Sequence, residues 1–155
     1  MGGISPNLEH DAYVALAGPL TGLGVSAAAY FFGVQTHEPF WLAAAYLGAF
    51  INLLNLVPVN PFDGGRVAGA LSPALWIAGL ILMVGLVVFL HIGFFWLLLV
   101  LLFGLPSVIA AWRGHVDPRF ASMTKAARFR VGAWYLATIV GLAYLASISQ
   151  VPVPR

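Results

Sequence analysis

The chain has 155 residues and not one cysteine. Disulfides and cysteine-ligated zinc are therefore excluded, and cysteine usage indicates no redox compartment. Charge is scarce too. Seven Lys plus Arg and five Asp plus Glu make up 8% of the chain, against about a quarter in a soluble domain. Seven basic residues are too few to line a nucleic-acid groove, so no nucleic-acid partner is expected. What fills the sequence instead is apolar, with 61% hydrophobic residues and a mean hydropathy of +0.95. So few charges cannot cover a water-facing surface of this size, and the expected solvent is the lipid bilayer. The stretch from Met1 to Asp11 has no basic region and no apolar run ahead of its acids, so it does not read as a signal peptide.

In lipid every backbone polar group must be satisfied within its own segment, which points to helices. The expected class is all-α, a polytopic transmembrane helical bundle forming one domain over 1–155. At about 20 residues per span there is room for about five spans. The expected segments are 12–32, 40–66, two spans within 74–112, and 131–148. The stretch 74–112 must fold back, and His91-Ile92-Gly93 is its polar, flexible point. The region from Arg113 to Arg130 holds Arg113, Arg119, Lys125, Arg128 and Arg130 against Asp117. Such a basic loop stays cytoplasmic. Counting back puts 60–72 and the N-terminal stretch on that same side of a multi-pass integral membrane protein. Trp41, Trp76, Trp96, Trp112 and Trp134 include several near span ends, as interfacial anchors do.

One segment is chemically loaded. Asn52, Asn55, Asn60 and Asp63 fall in and just after an apolar span. Polar groups at membrane depth are costly and face a protein interior or a water-filled cavity. Pro58 and Pro61 break the helix there, and Asp63-Gly64-Gly65 is expected to turn the chain sharply. The plainer alternative is an ordinary interfacial turn with Asn residues capping helix ends. Earlier in the chain, Gly18 and Gly22 lie four apart in Ala17-Gly18-Pro19-Leu20-Thr21-Gly22, on one helix face that lets a neighbour approach closely. Arg66 either reaches the headgroups or pairs with Asp63, and its position in the sequence does not choose.

The string Asn55-Leu56-Val57-Pro58-Val59-Asn60-Pro61-Phe62-Asp63-Gly64-Gly65-Arg66 resembles the second motif of the site-2 protease family of intramembrane zinc metalloproteases. Asn55, Pro58, Pro61, Asp63, Gly64, Gly65 and Arg66 match that pattern. The Ala17-Gly18-Pro19 span resembles the family's preceding span, and Gly2-Gly3 the short segment before it. The resemblance implies a membrane metalloendopeptidase that hydrolyses peptide bonds in transmembrane segments of other proteins. It implies Asp63 as a Zn2+ ligand, joining two histidines of a His-Glu-x-x-His helix whose glutamate is the general base. It implies Asn55 as a support for the substrate strand or the oxyanion.

The His-Glu-x-x-His motif itself is absent. His37-Glu38 runs into Pro39, Phe40 and Trp41, Glu9-His10 has Pro6 where an inverted motif needs histidine, and His91 and His115 have no partner at helical spacing. A catalytic zinc takes about three protein ligands, so Asp63 needs ligands from outside this sequence. The chain is expected to be a C-terminal portion of a longer protein and inactive alone. The alternatives are a non-catalytic membrane protein on the same scaffold that binds transmembrane helices, and a small transporter subunit with the Asn and Asp side chains along its pathway.

Overall fold

A computed structural model describes residues 7–89, 94–114, 119–120 and 123–150. Gly2, Gly3, the His91 fold-back, His115, Asp117 and the tail 151–155 lie outside the described residues, as does the Trp96 side chain. Six helices follow in order: α1 Leu8–Thr36, α2 Pro39–Asn55, α3 Asp63–Leu71, α4 Ala74–Phe89, α5 Phe94–Trp112 and α6 Lys125–Ile148. The described residues contain no strand.

The helix ends follow from local chemistry. Asn7 caps α1 by accepting a hydrogen bond from the Glu9 N–H, so the helix starts four residues before the apolar run at 12 and takes Glu9 and Asp11 into its first turn. It ends where His37 takes a left-handed conformation, with φ of 59°. Glu38 is then the N-cap residue of α2, and Pro39 opens that helix, where its missing N–H costs nothing. Thr124 caps α6 by accepting from the Ala127 N–H. The last helix therefore begins at Lys125 rather than 131, and Lys125, Arg128 and Arg130 belong to its first turns instead of a loop.

α1 and α2 form an antiparallel pair held by small residues. Gly33 faces Leu42, Gly48 faces Ser26, and Gly22 faces Asn52. α6 lies beside α1 in the same direction: Arg130 reaches Glu9 at 2.7 Å near one end, and Leu23 packs over Gly141 further along. The core joins α1, α2, α3 and α6 through Leu16, Ala49, Leu56, Val67, Val131 and Leu142. Among the described residues α4 and α5 add nothing to that core. They pack on each other and on the irregular segment between α2 and α3, with Gly79 against Pro58 and Gly104 against Val59.

The outer surface is apolar. Phe31, Phe40, Ile81, Phe89 and Val140 are all exposed. α1 and α6 are long and apolar enough to cross a membrane, and only 22% and 28% of their most apolar windows are buried. A core helix of a water-soluble domain would bury most of that surface. α2, α4 and the 101–112 part of α5 are shorter apolar helices.

Candidate functional site at the break between α2 and α3

α2 stops at Asn55, and the Leu56 N–H closes its last turn on the Asn52 and Leu53 carbonyls at 3.1 Å. Pro58 and Pro61 then withhold two N–H donors, and a helix cannot continue through them. The chain turns instead through Val59 N–H to Val57 carbonyl (2.7 Å) and Phe62 N–H to Val59 carbonyl (3.0 Å), with a cis peptide between Asn60 and Pro61. The sharp turn thus precedes Asp63. The expectation that Asp63-Gly64-Gly65 makes it is corrected, because Asp63 opens α3 and both glycines are helical and buried.

Those glycines are there for close approach. A Cβ on Gly64 would run into the Leu56 carbonyl, and one on Gly65 would lie 2.5 Å from the Asn60 nitrogen. The first turn of α3 is therefore pressed against the segment that precedes it. Asp63 sits in that first turn, where the helix dipole favours a carboxylate.

The half-buried Asp63 side chain points at α1. Its Oδ2 is 3.5 Å from where a Cβ on Gly18 would be. One helical turn further along the same face, Gly22 receives the Asn52 amide, which donates to the Gly48 carbonyl at 2.8 Å. Because α1 and α2 run antiparallel with Gly22 opposite Asn52, Asn55 falls about 4.5 Å further toward the start of α1. That is the level of Gly18 and Asp63. The Asn55 side chain is half-buried and has no hydrogen-bond partner among the described residues. Neither does Asp63, and the exposed Arg66 does not pair with it.

Three side chains from other helices hold the break. The buried Tyr135 hydroxyl on α6 donates to the Leu56 carbonyl, where α2 ends. The Trp76 indole N–H on α4 donates to the Gly65 carbonyl at 2.7 Å, just past Asp63. Between them, the Asn60 amide donates to the Ser107 hydroxyl on α5 at 2.8 Å. Trp76 thus has a specific partner beyond the interfacial anchoring expected of it. Tyr135 and Ser107 escape a reading by motif. Their signal in the sequence is only that each is a hydroxyl inside an apolar run, where a donor needs an acceptor.

Among the described residues no three His, Cys, Asp or Glu side chains come together. His10 is exposed on α1, and His37 ends that helix. One carboxylate does not hold a catalytic zinc, so the residues present do not by themselves fit the metal. Comparisons of the chain with protein-family models, curated proteins and solved structures find no match.

Proposed function

We propose that this chain is the Asp-bearing part of a site-2-protease-like intramembrane metalloprotease, a multi-pass protein crossing the bilayer about five times. In this reading α2 and α3 form one interrupted crossing, with α1, α4, α5 and α6 the other four. The basic end, with Arg113, Arg119 and Lys125, is cytoplasmic. Asp63 then lies about ten residues, or roughly 15 Å, below the start of α1, within reach of water entering from that side.

The observation that carries the reading is the Asp63 carboxylate against Gly18. Two segments 45 positions apart, each matching the family pattern on its own, meet side by side. The carboxylate there has no hydrogen-bond or ion-pair partner among the described residues, and it stands at the level of Asn55. An ordinary interfacial turn would explain the prolines. It would not explain an acid with no partner among the described residues set against Gly18, in a helical turn that Gly64 and Gly65 let pack closely on the segment before it.

In this proposal Asp63 is a Zn2+ ligand, Asn55 supports the substrate strand, and the partner is a transmembrane segment of another protein. The remaining ligands and the general base come from outside these residues. The chain reconstituted in vesicles with zinc is expected to leave a transmembrane reporter helix intact. Expressed in frame with upstream coding sequence that supplies a His-Glu-x-x-His helix, it is expected to cleave the reporter, and Asp63→Asn to slow cleavage by about 100-fold or more. Cleavage by the chain alone, or by Asp63→Asn at an undiminished rate, would overturn the proposal.

A further inference from the structure

We infer that Tyr135 and Trp76 are positioning residues that fix where Asp63 points, by fastening the backbone on either side of it. The inference rests on the proposed role of Asp63 for its functional meaning, though its geometry does not need that role.

The break between α2 and α3 is a weak place in the chain. Pro58 and Pro61 cannot donate to the Leu54 and Val57 carbonyls as helical residues would. Those carbonyls accept from the Val57 and Val59 N–H groups in irregular turns instead, and no regular ladder sets the direction in which α3 departs. Side-chain donors from α6 and α4 add two ties across the break. Tyr135 fastens the Leu56 carbonyl, at the first residue of the break, and Trp76 the Gly65 carbonyl, two residues after Asp63. Both donors are well seated. Tyr135 is 7% exposed, and the Trp76 ring lies against Gly69, where a Cβ would meet it at 2.5 Å. The Asn60 to Ser107 bond holds the middle. With its two flanks tied to different helices, the seven-residue break has little freedom to rotate Asp63 away from Gly18.

The chain has no cysteine, which makes a direct test clean. Gly18→Cys with Asp63→Cys gives two thiols across the contact. A reagent that bridges two thiols with one carbon reports how often they meet. Ser26→Cys with Gly48→Cys is the reference pair, its β-carbons 3.6 Å apart on the α1–α2 face. Tyr135→Phe removes one hydroxyl and keeps the ring. In membranes it is expected to slow bridging of 18 with 63 by about fivefold and to leave 26 with 48 unchanged. Trp76→Phe is expected to act the same way, and the two together more strongly than either.

Unchanged bridging of 18 with 63 in both variants would overturn the inference. So would an equal slowing of both pairs, since the hydroxyl would then be holding the whole bundle, and so would failure of 18 with 63 to bridge in the parent chain. None of these readouts involves zinc. Loss of the protease proposal on metal or cleavage data would leave the bridging result standing, and the reverse holds as well.

Discussion

Glycine 22 shows how tightly the site is fitted. A Cβ there would fall on the Asn52 amide, which already donates to Gly48 and has little room to retreat. Gly22→Ala is expected to cost about 1–3 kcal/mol by overpacking. Gly24→Ala, where nothing lies within 4 Å, should be neutral or stabilising by up to about 1 kcal/mol, because alanine is the better helix former. Unfolding in mild detergent measures both. Similar losses at the two positions would contradict the packing. Gly64→Ala is more severe, because the added methyl meets the Leu56 carbonyl, a backbone atom that cannot swing aside. At this scale much was legible. Gly18 and Gly22 were marked by spacing, and Asp63 by its motif. What they touch was not legible, because contacts between positions 18 and 63 or 22 and 52 depend on how helices cross. The donors from Tyr135, Trp76 and Ser107 were hidden for the same reason.

At the scale of elements, the apolar runs mark the helices well and their ends poorly. Hydropathy placed α1 from 12 and the last helix from 131, whereas Asn7 and Thr124 start them at 8 and 125. Capping is set by one side chain and a charged first turn, which a hydropathy window averages away. α3 was invisible for a similar reason. Its nine residues contain three glycines, a weak helical sequence in isolation that forms here because Val67 and Ala70 are buried in the core. Two element-scale tests follow from the ends. His37 closes α1 with φ of 59°, a conformation that suits glycine. His37→Gly should therefore stabilise the chain by up to about 1 kcal/mol in the same unfolding measurement. A loss of stability would show that His37 makes a contact of its own. The start of α1 is tied to α6 and the segment before it by Arg130 to Glu9 (2.7 Å) and Arg119 to Asp11 (2.8 Å). The Arg119 and Asp11 side chains are about a third exposed. Asp11→Asn should therefore cost less than about 1 kcal/mol, and the cost should shrink in high salt. A larger loss that ignores salt would mean that the pair is shielded from solvent.

Across the whole molecule, one surface and one seam matter. The surface carries large exposed apolar side chains on all the longer helices, and lipid covers such a surface at no cost. The protein is expected to stay in the membrane pellet after alkaline carbonate washing, and release into the supernatant would contradict a bilayer setting. The seam is the α2–α3 break, which carries Asp63 and also joins the α4–α5 pair to the α1, α2, α3 and α6 core. Composition pointed to the all-helical class seen in the described residues, because few charges and long apolar runs favour helices, whose backbone groups are satisfied within each segment. The site was legible only as far as its residues are contiguous. Asn55 to Asp63 reads as a unit, while the sequence contains no His-Glu-x-x-His motif to go with it. The proposed role of Asp63 as one zinc ligand among several is open to zinc counting. Zinc per chain is to be measured by elemental analysis on protein expressed in frame with the coding sequence upstream of Met1, with and without Asp63→Asn. The predicted result is about one zinc in the parent and a loss of most of it in the variant. Equal zinc in the two, or none in the parent, would remove Asp63 from any metal site and overturn the proposal.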